Sequence, residues 1–295
     1  MQQAQSRVQR QPLEKQQREY KTPTNYEPHE RGYDPKTGKT ITYDHQPRVE
    51  LVDAKAGKYA FKWIGVDGKE KTVIFQRADA IDVVVSATVS KTTEGKYHYN
   101  YEVQNLPSSG TYLSGFIVQN FVSDVKLDNK GGMFTGAMSN AIYEFREGNW
   151  IHFADASDDL QLDPGQTVKL QLTSSAPPGL VGCRAVGGEL SLEGVGEDMP
   201  LALERLLPGY EEFPKGRTIG PVDSLQTLSL AEEAKYLLDN LPQFRKLGWM
   251  TDAALSRYEQ RLKSGDLEAV RKRLEQNLKD EQITTEVFAI IEAMK

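Results

Sequence analysis

The residues that could carry chemistry are few and scattered. Asp155, Ser157 and Asp159 stand at alternate positions, the spacing of the first three oxygen ligands of a calcium loop. The sixth position of such a loop would be Leu160, where the turn requires glycine, and the twelfth would be Gln166 instead of a bidentate glutamate. The three residues are thus a candidate calcium site of an irregular kind, drawing also on Asp124, Asp128 or Asp163, and otherwise an exposed acidic loop. No other cofactor is expected. Glu144, Asp155, Asp158 and Asp159 could supply the paired carboxylates of a hydrolase only if the fold brought two of them within about 5 to 9.5 Å. The segment from Gly32 to Thr40 ends in the Gly-Lys-Thr of a phosphate loop, but five residues separate its glycines where four are needed. Asp34-Pro35-Lys36-Thr37-Gly38 is better read as a β-turn. His29, His45, His98 and His152 show no ligand spacing, and the single cysteine, Cys183, closes no intrachain disulfide and reads as a small buried hydrophobe. No enzyme is expected from this set.

Aromatic residues offer the other candidate. Tyr97, Tyr99 and Tyr101 recur with period two, so they share one face of a strand. On an exposed face they would make a binding platform for a sugar or a partner chain; on an inner face they would be core, the commoner use of such a stripe. His98 falls on the opposite face.

The elements that must position these residues follow from periodicity. Tyr59, Phe61 and Trp63 alternate with polar neighbours, Asp67-Gly68 supplies turn chemistry, and Thr72 to Phe75 returns: a hairpin. Strands are also expected over 81–89, along the tyrosine stripe to Val103, over 116–122, and around Val168, Leu170 and Leu172 after the Pro164-Gly165 corner. Seven or more short strands joined by Gly, Pro and Asx turns predict an antiparallel immunoglobulin-like β-sandwich over 48–193. Prolines and glycines then punctuate a connector over 194–225. From Ser229 the period turns helical. Ser229 and Glu232 have capping-box spacing, and four apolar stripes predict a four-helix C-terminal module over 226–295, with Trp249 covering its end. The fold class is mainly β plus α: a sandwich followed by a small helical bundle.

Charge follows the same divisions. Residues 1–49 hold nine basic and six acidic side chains, are rich in glutamine and poor in aliphatics, and so predict a polar, extended or disordered arm over 1–47. Residues 50–225 carry −8 and residues 226–295 carry −1, for a net −6 over the 295 residues. Such a balance repels polyphosphate, so nucleic acid is not an expected partner, and no apolar run is long enough to span a membrane.

Two groups of motifs carry a resemblance. Tyr99-Asn100-Tyr101-Glu102-Val103-Gln104-Asn105, Leu162-Asp163-Pro164-Gly165-Gln166 and Ser174-Ser175-Ala176-Pro177-Pro178-Gly179 are similar to the β-sandwich of exported bacterial proteins of unassigned function. Leu247-Gly248-Trp249, with Leu255, Leu262, Gly265, Ala269 and Leu274, resembles the small helical module that follows such domains. The resemblance implies an extracytoplasmic place, in the periplasm, at the cell surface or secreted, with a presequence removed. The expected function is a non-enzymatic binding or assembly protein, taking a protein partner or a second copy of itself. Its basic arm would add as a strand to an open edge of the acidic sandwich. The alternative is a carbohydrate-binding accessory module with a cell-surface glycan as partner, formed by the tyrosines and the acidic loop with calcium.

Overall fold

The computed structural model describes residues 11–15, 18–26, 30–65, 67–127, 149–153, 161–188, 199–207 and 213–294. The N-terminal residues expected to form an arm contain ordered strands. A two-residue strand, β1 (Gln11–Pro12), is followed by a hairpin of β2 (Glu30–Asp34) and β3 (Lys39–Tyr43). Its turn is the Pro35–Gly38 segment with Gly38 at φ 68°, so the resemblance to a phosphate loop was a hairpin turn. Next comes a meander of β4 (Arg48–Asp53), β5 (Lys58–Ile64) and β6 (Glu70–Gln76). Gly68 adopts φ 74° in the β5–β6 turn, as Asp-Gly turns require. These three strands form a sheet of their own, with a separate core of Tyr59, Phe61, Trp63, Val73 and Phe75 covered by Tyr20, Met199 and Leu203. They do not extend the main sheets, which corrects the expectation that the domain over 48–193 is one sandwich.

The main β structure begins at β7 (Val83–Lys91) and continues through β8 (Tyr97–Asn105), β9 (Leu113–Asn120), β10 (Lys126–Leu127), β11 (Asn149–Phe153), β12 (Thr167–Ser174), β13 (Pro178–Gly187) and β14 (Lys215–Pro221). One sheet has the order β1-β7-β8-β12-β10 and the other β11-β9-β13-β14, all pairs antiparallel. Strand β14 lies inside the region expected to be a connector. Its Lys-Gly-Arg-Thr-Ile run alternates like any strand, but the surrounding prolines and glycines obscured the pattern.

Period-two patterning sets which face is buried. Val83, Val85 and Ala87, Tyr99, Tyr101 and Val103, and Val168, Leu170 and Leu172 meet across the first sheet in register. They share one core with Phe116 and Val118, Ile151 and Phe153, and Val181, Cys183 and Ala185 of the second sheet. The Tyr101 ring lies 5.9 Å from both Phe116 and Phe153, and its hydroxyl donates to the Ile219 carbonyl at 2.9 Å.

The helices join that core. A single turn, α1 (Leu201–Glu204), caps the small sheet, and α2 (Leu230–Lys246) starts at the anticipated capping box, with the Ser229 amide donating to Glu232 at 2.8 Å. Pro242 lies inside α2 without ending it. Then come α3 (Asp252–Lys263), α4 (Leu267–Arg271), α5 (Leu274–Lys279) and α6 (Thr285–Ala293). The third expected helix is thus two short ones, broken at Lys272-Arg273, and the module has five helices. Trp249 is buried and stacks on Phe244 at 6.1 Å, closing the end of the bundle. Helix α6 packs on β7 and β13, and the carboxylate of buried Glu286 accepts from the Ala87 amide on the edge of β7. No described helix is long and apolar enough to cross a membrane.

Two outcomes follow from this core. Tyr101→Phe leaves the Ile219 carbonyl without its buried donor and is expected to cost about 1–2 kcal/mol in urea denaturation. Burial pushes the Glu286 carboxyl above its ordinary 4.5, so the native state holds that proton more tightly than the unfolded chain. The stability it contributes is complete below about 4.5 and is lost as pH rises through the folded value. Glu286→Gln should therefore gain on the wild type as pH rises from 4.5, and a difference flat in pH would show that Glu286 does not titrate in this way.

Candidate functional site

Two sheets that share a core leave edge strands with unpaired backbone groups. Here β7 is an edge of the first sheet and β14 an edge of the second, and the two edges lie beside one another. The N-terminal segment closes this seam. Gln11 and Pro12 pair with Val85 and Val84, and Leu13 donates to the Val83 carbonyl at 2.9 Å. Glu14 then turns to the other edge and exchanges both backbone hydrogen bonds with Lys215, at 2.8 and 2.9 Å. Proline is tolerated at position 12 because an edge strand spares it the missing donor. Between the two pairings the Leu13 side chain enters the core, 7 % exposed, a burial worth about 2 kcal/mol. Lys15 pairs with Asp82.

Gly216 makes room for that leucine. A Cβ there would stand 2.6 Å from Leu13 Cδ2, so any larger residue must push the side chain aside. The adjacent Cys183 is buried, and desolvation pushes its thiol up to about 12, leaving it protonated and inert at neutral pH.

Beside the seam, on the outer face of the second sheet, lies a cleft of about 880 Å³. Its floor is a row across four strands: Trp150 on β11, Gln119 on β9, Gly182 on β13 and Arg217 on β14. Gly182 matters through its missing side chain, since a Cβ would meet Gln119 Oε1 and the Trp150 ring at 3.1 Å; its amide donates to Gln119 Oε1. The next row places Arg184 opposite Lys215. Arg184 is only 6 % exposed, with its guanidinium 5.3 Å over the Trp150 ring. One wall is the segment from Pro12 to Glu14, and the other is the last turn of α2, with Gln243 and Lys246. Lys246 Nζ donates to Glu14 at 3.1 Å across the mouth.

The residues singled out by sequence lie elsewhere. Tyr99 and Tyr101 point into the core, fully buried, with their hydroxyls donating to the Ala176 and Ile219 carbonyls at 2.7 and 2.9 Å. Burial pushes both phenols up. Tyr97 is half-buried, with Lys91 over its ring at 5.4 Å. The stripe is therefore core and not a surface platform, because its period matches the inner face of the sheet. His98, on the outer face, bonds Thr173 at 2.8 Å. Asp155, Ser157 and Asp159, with Asp128, Glu144 and Asp158, lie outside the described residues. Asp124 is committed to Ser174 and Ser175, at 2.7 Å each. Among the described residues no group of three or more His, Cys, Asp or Glu side chains is placed to hold a metal ion.

No protein-family model, curated protein or solved structure matches this chain. The cleft went unnoticed in the sequence because its cations come from three distant elements. One local signal existed: Lys215-Gly216-Arg217 puts two cations on one strand face around a glycine.

Gly216→Ala tests the seam. The added methyl group must displace Leu13, so trypsin should cut after Lys15 faster than in the wild type while the global unfolding midpoint moves little. An unchanged cutting rate would mean that Leu13 does not lean on Gly216.

Proposed function

We propose that this is a non-enzymatic binding or assembly protein acting outside the cytoplasm, built on an immunoglobulin-like sandwich with a helical module, and that its N-terminal segment works by strand addition. The observation that carries this reading is the double pairing of residues 11–14, first with β7 and then with β14. Backbone pairing along an edge gives affinity without demanding a particular sequence, and the single leucine inserted into the core supplies register and specificity. A segment held this way can be given up to, or accepted from, another chain that presents the same pattern. The extracytoplasmic place rests on the motif resemblance of the sandwich and of the Leu247-Gly248-Trp249 turn.

The reading is tested with a chain lacking residues 1–15 and a fluorescent peptide of residues 1–20. The truncated chain should bind the peptide saturably, and a Leu13→Asp peptide should bind at least tenfold more weakly. Light scattering on the full chain against the truncated one reports whether the exchange also occurs between copies. Circular dichroism establishes that the truncated chain is folded; a folded truncated chain that ignores the peptide and keeps its mass would rule strand addition out. If truncation prevents folding, the full chain carrying Leu13→Asp takes its place in both measurements.

A further inference from the structure

The cleft beside the seam has a charge pattern that the fold does not require. In an antiparallel pair, like charges directly opposite one another are destabilising. Arg184 nevertheless stands directly opposite Lys215, and Arg217 follows two positions along the same face, opposite Gly182. Lys246 adds a fourth cation from the last turn of α2. Against these the described lining offers one carboxylate, Glu14, in a protein whose net charge is −6. The C-terminal end of α2, carrying roughly half a negative charge, offsets only part of the remainder.

The cations are also prepared for a ligand in different ways. Arg184 is fixed by burial and by the Trp150 ring beneath it, whereas Lys215, Arg217 and Lys246 are exposed and can swing onto a guest. Gly182 keeps the floor between them open, and about 880 Å³ suits a small molecule. We propose that this cleft binds a small polyanion bearing two or more phosphoryl or carboxylate groups, and that the Glu14 carboxylate, held at its mouth by Lys246, is the internal group such a ligand displaces. A charged oxygen ligand would neutralise the Arg184–Lys215–Arg217 cluster more fully than Glu14 can, because Glu14 reaches only the Lys246 side of the cleft. This inference does not depend on strand addition, since it concerns side chains of the intact chain.

The test is isothermal titration of the full-length protein with inorganic pyrophosphate and, separately, with citrate, at low and at physiological salt. The two probes separate phosphoryl from carboxylate preference. One site per chain is expected for at least one of them, weakening as salt rises. Arg217→Gln should weaken binding tenfold or more, and Glu14→Gln should tighten it severalfold by removing the competitor. Lys263→Gln, a charge change on α3 away from the cleft, should alter affinity less than twofold. Absence of saturable binding to both anions overturns the proposal. So does binding that responds to Lys263→Gln as strongly as to Arg217→Gln, which would be diffuse attraction to the surface. If Glu14→Gln leaves the affinity unchanged, the displacement half of the proposal falls.

Discussion

The seam between β7 and β14 is the constraint on which the rest of the structure depends. Two sheets can bury their apolar faces against each other and still leave the edges open, with backbone donors and acceptors that must find partners or water. In this protein the two neighbouring edges are spanned by a few residues of the same chain. Pairing with β7 fixes where residues 11 and 12 lie, Leu13 then has one place to go, and Gly216 is the position that leaves it free. Removing any of these contacts exposes the core of both sheets at one line.

Helix α6 completes what the short β1 strand leaves undone. Beyond Val85 the edge of β7 has no strand beside it, and Glu286 meets the Ala87 amide there. The helical module is accordingly not a separate body appended to the β structure. Its apolar stripes, from Ala234 and Leu237 through Ile290 and Ile291, belong to the same continuous core as the two sheets. Short helices such as α4 and α5 are unstable alone, and that shared core is what holds them. The Tyr236 hydroxyl, accepting from the Leu180 amide at 3.0 Å, ties α2 to the outer face of β13, and so sets the wall of the cleft.

Elements with strong local signals were legible in the sequence. The capping box at Ser229, the Asp-Gly turn after β5 and the alternating stripes of β7, β8 and β12 all lie where their patterns placed them, because each is decided within a few residues. Long-range choices were not legible. Nothing in Tyr59, Phe61 and Trp63 distinguishes a strand of the main sheets from one in a separate meander; that depends on what covers the aromatic face, here Tyr20 and Leu203 from far along the chain. Composition likewise marked the first 47 residues as polar, yet one leucine and two backbone pairings outweigh a glutamine-rich background. The cleft was the least visible feature, since its floor is a register relationship among four strands.

Charge complementarity between arm and sandwich, inferred from net charges of +3 over residues 1–49 and −8 over residues 50–225, does not explain how the segment is held. Only the Lys15–Asp82 pair follows that sense; Glu14, one residue earlier, pairs in the opposite one with Lys246, and its backbone partner is Lys215. Both groups of the Glu14–Lys246 pair are largely exposed, and such pairs contribute at most about 1 kcal/mol. Backbone pairing and the burial of Leu13 therefore carry the docking. The charges have another consequence: because the acidic part of the chain places its cations Arg184, Lys215 and Arg217 together on one sheet face, the net charge of a segment conceals the sign of the field at its cleft. A protein that repels polyanions over most of its surface can thus draw a small anion to one place, and the same acidity restricts the attraction to ligands small enough to fit inside it.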